Sequence, residues 1–232
     1  MPTTNLTHGK LSIIPTPIGN LGDVTVRAVE TLKAADVVLT EDTRRSGILF
    51  KHYNIEVKKV SFYDSIETRR IEQVLGWLRN GKNVALITDA GMPGISDPGY
   101  RLTKAVIDAG LLLEVLPGPS AIEPALLYSG LPLHRFVFEG FLPVKRLRRK
   151  RMLELAKESR TIVLFEAPHK LQRTLTDLAL FLGSERPAVM CREMTKIYEE
   201  VVRSTIGGIA IHCYNKPPKG EIALVIAGKE DE

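Results

Sequence analysis

Val37 to Ser46 reads VVLTEDTRRS, an apolar run of strand length ending in Glu41, Asp42, Arg44 and Arg45. A carboxylate beside guanidinium groups is favoured in its charged form, which leaves it ionised but a weaker base. Asp42 is the candidate catalytic residue; alternatively Glu41 or Asp42 caps the next helix and the arginines are solvated. A second candidate is Lys219 in NKPPKGEIALVI, where a proline-stiffened turn presents a lysine next to Glu221 and the last apolar run. Facing a cleft, such an ammonium lowers the pKa of a hydroxyl or holds a phosphate; facing water, it is an ordinary turn lysine. His169 in FEAPHK, directly after a proline at a helix start, ranks below both as a base.

Three glycine- and proline-rich stretches each follow an apolar run: PTPIGNLGD after LSII, DAGMPGISDPG after VALIT, and PGPSA after LLLEVL. Glycine lets a backbone approach a ligand with no Cβ in the way, and proline stiffens the loop so that less entropy is lost on binding. Any one of them is explained by a turn, whereas three at the ends of successive strands point to a ligand site. The common fingerprints are absent. Gly19 and Gly22 do not make GxGxxG, GKN at Gly81 to Asn83 is not a P-loop, and GISDPG lacks the second glycine of a nucleophile elbow.

A net charge of +5 permits a nucleic-acid partner only if the charge is clustered, and it is: six of the seven residues Lys145 to Arg151 are cationic. As a helix from about Val144 to Ser159, this segment carries charge around most of its circumference and leaves Leu147, Met152, Leu153 and Leu155 to bury. The alternative is a solvated amphipathic helix. Aromatic residues make up 6% of the chain with no aromatic-rich strand, so base-stacking platforms are not suggested and recognition by shape fits better.

The elements that must position these groups follow from periodicity. Strand-length apolar runs alternate with helical segments: LSIIP, VRAVETLKAA, DVVLT, VKKVSFY, SIETRRIEQVLGWLRN, NVALITD, YRLTKAVIDAG and LLLEVLP. That is the grammar of an α/β fold with a mainly parallel sheet, in which ligands collect at the carboxyl ends of the strands. After PGPSA the strands RFVFEGF, TIVLFEA, PAVMCRE, EEVVRST and EIALVIAG follow one another with fewer helices, which predicts a mixed sheet. The boundary falls near Ser120 to Gly130, giving two α/β domains, 1–120 and 121–232, with a cleft between them. At 44% hydrophobic and 25% charged residues the composition is that of a folded globular protein, with no apolar stretch of bilayer length. MPTTNLTHGK lacks the core of a secretory signal, and Cys191 and Cys213 have no pairing or zinc-ligand spacing, so a cytoplasmic setting is expected. The terminal KEDE reads as a frayed, solvated end.

The order PTPIGNLGD, TEDTRR, TDAGMPGISDPG, LPGPSA, FEAPHK, KGEIALVI resembles the tetrapyrrole methylase superfamily of S-adenosylmethionine-dependent methyltransferases, from about Leu11 to Gly228. Within it, the chain is most similar to the branch that methylates a cytidine 2′-hydroxyl in the 16S rRNA decoding region. Relatives acting on tetrapyrroles commonly carry Tyr-Asp-Arg where TEDTRR stands here. The resemblance implies S-adenosylmethionine in the cleft between the domains, no metal, a homodimer, and 16S rRNA or the 30S subunit as partner. Carried over residue by residue, it assigns cofactor contacts to Leu21, to Ala90, Gly91, Met92 and Ile95, to Ser120 and Ala121, and to Phe165 and Met194. Arg44, Arg45, Lys145, Arg146, Arg148, Arg149, Lys150 and Arg151 become candidate RNA contacts. Two rivals stay open: a methyltransferase of the same fold acting on a corrin precursor or a protein side chain, and a non-catalytic RNA-binding assembly factor.

Overall fold

The runs 37–39 and 84–87 are apolar at every position because both faces of their sheet are covered there. In the computed structural model, which describes residues 8–229, the chain divides into two units between Ser120 and Ala121. The expectations for the amino-terminal MPTTNLT and the last three residues of KEDE lie outside the described residues.

The first unit runs β1 (Lys10–Ile13), a single 3₁₀ turn (Leu21–Asp23), α1 (Val26–Ala34), β2 (Val37–Thr40), α2 (Thr43–His52), β3 (Lys58–Ser61), α3 (Asp64–Arg79), β4 (Val84–Leu86), α4 (Tyr100–Asp108) and β5 (Leu112–Val115). The five strands form one sheet in the order β3-β2-β4-β1-β5, every neighbouring pair parallel. Alternate side chains point to opposite faces. Leu11, Ile13, Val37, Leu39, Val84 and Leu86 pack with Val74, Leu75 and Leu78 of α3 and Leu102 and Val106 of α4. Val38, Ala85 and Ile87 pack the other way, with Ala28 and Leu32 of α1 and Leu49 and Phe50 of α2. The central strands β2 and β4 are buried throughout, while the edge strands β3 and β5 are partly exposed.

The second unit contains α5 (Ile122–Ser129), β6 (Phe136–Phe141), α6 (Arg146–Leu155), β7 (Thr161–Glu166), α7 (Pro168–Leu182), β8 (Pro187–Arg192), β9 (Glu200–Thr205), α8 (Ile206–Asn215) and β10 (Ile222–Ile226). Its sheet, in the order β6-β7-β10-β8-β9, is mixed: β6 and β7 are parallel, and β10 is antiparallel to both β7 and β8. The mainly parallel first sheet and mixed second sheet are those expected from the strand pattern. No described helix is long and apolar enough to cross a membrane.

Two elements depart from the sequence reading. The basic helix runs only from Arg146 to Leu155: Lys145, with φ 59° and ψ −136°, sets its start, and it buries Met152 and Leu155 but not Leu147 or Leu153, which are 65% and 49% exposed. The inward stripe, at spacings of four and three, is Arg148–Met152–Leu155, which leaves Leu147 about 100° off it. Helix α8, IGGIAIHCYN, was hidden by its two adjacent glycines. It forms because the Thr205 hydroxyl accepts the Gly208 amide as an N-cap and because Ile206, Ile209 and Cys213 have a core to enter.

Both cysteines are free and buried, and burial pushes each thiol up to about 11. Only the thiolate is an efficient nucleophile. Iodoacetamide at pH 8 should therefore leave native protein unmodified by mass spectrometry and add two carbamidomethyl groups after denaturation.

Candidate functional site

Because the first sheet is wholly parallel, the carboxyl ends of its strands, and the loops that leave them, share one edge. Two of the glycine-rich loops are joined there by main chain. The Thr16 amide donates to the Gly91 carbonyl at 3.0 Å and the Gly91 amide to the Thr16 carbonyl at 2.9 Å, an isolated antiparallel bridge. The Thr16 hydroxyl adds a buried bond to the Thr88 carbonyl at 3.0 Å. The PGPSA loop closes on the same place: a Cβ on Gly118 would lie 3.2 Å from Pro15 Cβ and Cγ.

The central loop, Ala90 to Gly99, is built from conformations that side chains rarely adopt. Gly91 (φ 80°), Gly94 (84°), Ser96 (63°) and Gly99 (133°) all have positive φ. Gly99 is doubly required, since a Cβ there would also sit 2.8 Å from Leu86 Cδ2. Inside the loop the Gly94 amide reaches the Pro98 carbonyl at 3.1 Å and the Ile95 amide reaches the Met92 carbonyl at 3.3 Å. Its far end is held by Glu67 of α3, whose buried carboxylate accepts the Gly99 and Leu102 amides, both at 3.2 Å, and so caps α4 from outside that helix. Sequence reasoning missed Glu67, because an acid inside a charged amphipathic helix looks solvated until tertiary contacts aim it.

Of the expected cofactor residues in this unit, Leu21 opens the 3₁₀ turn, and its carbonyl accepts the Tyr53 hydroxyl at 2.7 Å. Ala90 and Met92 are half-buried, Gly91 is buried in the bridge, and Ile95 is exposed. Ser120 and Ala121 stand half-buried where the two units divide. In the second unit, Phe165 packs edge-on against Phe138 and Phe141, with centroids at 5.1 and 6.0 Å. Met194 is buried between Glu193 (φ 51°) and Thr195 (φ 66°). Ile222 of β10 is opposite both Glu166 of β7 and Arg192 of β8, so Phe165, Met194 and Lys219 fall at one edge of the second sheet. The Lys219 carbonyl accepts an Arg192 guanidinium N–H at 3.2 Å, and its side chain is exposed. His169 is exposed in the first turn of α7.

At TEDTRR the structure gives Asp42 the capping role: its Oδ1 accepts the Arg44 amide at 2.7 Å as the N-cap of α2. Asp89, which leads into the central loop, accepts the Asp42 amide on Oδ1 at 3.1 Å and holds Arg45 at 3.1 Å through Oδ2. Glu41 differs from both. Burial foremost, then the Asp89 and Asp64 charges, push its carboxyl above the ordinary carboxylate range, against a backbone hydrogen bond from Asp89 and the charge of Arg45. Directly before Glu41 and Asp89 come Thr40 and Thr88, whose buried hydroxyls have no partner among the described residues. An edge with no Cβ at Gly91 and Gly94 lets a small-molecule ligand approach the backbone closely. Among the described residues no group of His, Cys, Asp and Glu side chains is arranged to hold a metal ion.

The expected basic surface is divided. Arg148 is only 12% exposed at its side chain, donating to Asp177 at 2.7 Å and to the Thr174 hydroxyl at 2.8 Å on α7. Arg151 forms a forked pair with Glu139 of β6 and a further ion pair with Glu154 at 2.6 Å, which together raise its pKa. These two guanidiniums are tied to acids of their own unit. Lys145, Arg146, Arg149 and Lys150 stay exposed, as do Arg44 and Arg45.

This architecture, a parallel sheet followed by a mixed sheet, is that of the tetrapyrrole-type methyltransferases. The structure of a cobalamin biosynthetic enzyme, cobalt precorrin-4 methyltransferase, superposes with a TM-score of 0.69 at 20% identity over 98% of this chain and 97% of the other. Uroporphyrin-III C-methyltransferase from Thermus thermophilus, complexed with S-adenyl homocysteine, gives 0.67 at 19% identity over 94% and 97%. The chain belongs to the tetrapyrrole (corrin/porphyrin) methylase family, whose sequence profile matches residues 10–210. Its sequence is similar to proteins named ribosomal RNA small subunit methyltransferase I: 47% identical to that of a Synechocystis species over 97% of this chain and 81% of the relative, and 45% identical to that of Thermotoga maritima over 96% and 100%.

Glu67→Ala would leave the buried Gly99 and Leu102 amides unpaired and is expected to cost about 2–4 kcal/mol in urea unfolding. Glu72→Ala, at an exposed position of the same helix, should stay within about 0.5 kcal/mol of wild type.

Proposed function

We propose that this protein transfers a methyl group from S-adenosylmethionine to the 2′-hydroxyl of a cytidine in the decoding region of 16S rRNA. The observation that carries the reading is the 45–47% identity, over nearly the whole chain, to proteins named for methylating small-subunit ribosomal RNA. TEDTRR, where tetrapyrrole-directed relatives commonly carry Tyr-Asp-Arg, supports an RNA rather than a corrin acceptor. The 30S subunit as substrate and a homodimer as the active form belong to the same reading.

The residues of the first unit fit the donor. Met92 and Ala90 would offer main-chain groups to its polar parts, Gly91, whose amide and carbonyl are paired with Thr16, close approach with no Cβ in the way, Ile95 an exposed apolar surface, and Leu21 the neighbouring turn. Phe165 and Met194 at the edge of the second sheet would line its adenine side. When bound, the donor supplies an electrophilic methyl group whose carbon–sulfur bond breaks as the new oxygen–carbon bond forms. The chain's own part is to align the hydroxyl in line with that carbon, exclude competing nucleophiles and take up the proton, so that positioning provides much of the acceleration. Lys145, Arg146, Arg149 and Lys150 would meet phosphates, fixing position more than sequence.

Incubation with labelled S-adenosylmethionine and 30S subunits from a strain lacking the modification, followed by nucleotide mapping, should place the label on a cytidine ribose. Label on a base, on protein or nowhere would sink the reading. Removing Arg149 and Lys150 together should reduce the slope of log affinity against log salt for rRNA by about 1–2 and leave cofactor affinity unchanged. Arg148→Ala and Arg151→Ala should instead lower the unfolding midpoint, because they leave Asp177 and Glu139 without their partners.

A further inference from the structure

We propose that Glu41 is the residue that accepts the proton of the acceptor hydroxyl, and that Asp89 positions it. The inference rests on the 2′-hydroxyl reading above. Three neighbouring strands of the first sheet, β3, β2 and β4, deliver the acids concerned: Asp64 follows β3, Glu41 and Asp42 follow β2, and Asp89 follows β4. Of these, Asp42 is committed. Turning its Oδ1 toward a substrate would leave the Arg44 amide at the head of α2 unpaired. Asp89 is committed twice, to the Asp42 amide and to Arg45. Asp64 stands in the first turn of α3 and contributes through its charge.

Glu41 is the acid whose surroundings oppose its charge. The charged groups that act on it are Asp89 from the loop after β4, Asp64 from α3 and Arg45 from α2, and the balance with burial holds its carboxyl above the ordinary range. A carboxylate in that condition is a stronger base than a solvated one, which is what an alcohol nucleophile needs. Its place also suits proton removal, because a backbone hydrogen bond from Asp89 ties it to the residue that leads into Ala90, Gly91 and Met92, the loop assigned to the methyl donor. The balance of the step is closed. The hydroxyl oxygen forms its bond to the methyl carbon, the carbon–sulfur pair stays on the sulfur as a neutral thioether, and the hydroxyl proton ends on the Glu41 carboxylate.

The sign of the pH effects follows. A carboxyl raised in the folded state binds its proton more tightly there than in the unfolded chain. Ionising it therefore costs stability, a cost absent below the ordinary pKa and fully present above the raised one. Glu41→Gln should accordingly keep or raise the melting temperature at neutral pH and bind S-adenosylmethionine within about twofold of wild type. Its kcat should fall at least about 100-fold. Wild-type kcat should drop as pH falls through the raised pKa, a limb the residual Glu41→Gln activity lacks. Asp89→Asn should shift that limb to lower pH, since it removes a like charge and frees Arg45. Asp42→Asn should keep kcat within about tenfold, with a lower melting temperature.

A Glu41→Gln enzyme with kcat within about fivefold of wild type, an unchanged acidic limb, or a clear loss of stability would overturn the proposal, as would abolition of activity by Asp42→Asn alone. Mapping the wild-type label separates the two levels. Label on a base defeats the 2′-hydroxyl reading and this inference with it, whereas ribose label made at full rate by Glu41→Gln defeats only the assignment of Glu41.

Discussion

Two hydrogen bonds between the main chains of Thr16 and Gly91 hold the carboxyl edge of the first sheet together. Each residue belongs to a proline- and glycine-rich loop outside the regular strand ladder, and a buried amide or carbonyl without a partner is costly. The pairing is possible because β1 and β4 are adjacent and parallel, with Ile13 opposite Leu86, so that their loops leave the sheet at the same height. It brings the backbone of Gly91 to the loop after β1, and at φ 80° that residue adopts a conformation glycine tolerates best. The remaining loop geometry follows: Pro15 receives Gly118, Thr16 reaches Thr88, and Glu67 secures the far end at Gly99 and Leu102.

Charge is used differently in the two units. At the first sheet, acids from three strand ends are brought close, and one of them, Glu41, is left in surroundings that disfavour its ionised form. An arrangement that costs folding stability is characteristic of sites kept for chemistry. In the second unit, positive charge on α6 serves two ends. Arg148 and Arg151 replace apolar contacts by pinning the helix to α7 and β6, which leaves the exposed lysines and arginines on a fixed support. A helix so cationic would repel itself in isolation; Asp177, Glu139 and Glu154 offset that repulsion.

Legibility followed the range of the interactions involved. The central strands β2 and β4 were readable because burial on both faces makes them almost continuously apolar, and the three loops because turn chemistry is local. The caps were readable only as alternatives: Asp42 as base or cap could not be decided from TEDTRR, since the two roles need the same residue at the same spacing. Glu41 and Asp89 lie 48 positions apart in sequence and show no pattern linking them. Nor does anything local in RLRRKR distinguish Arg148 from Arg149, although one is held by α7 and the other faces water.

The sequence by itself determined the α/β class, the change from a parallel to a mixed sheet, the loops that would approach a ligand and the family to which the chain belongs, because periodicity, glycine and proline act over a few residues. The tertiary structure alone decided which acid caps a helix and which is left with a raised proton affinity, and which arginines are held by acids. Those outcomes depend on burial and on the charges of distant strands and helices, and a side chain acquires both only when the sheet has formed around it.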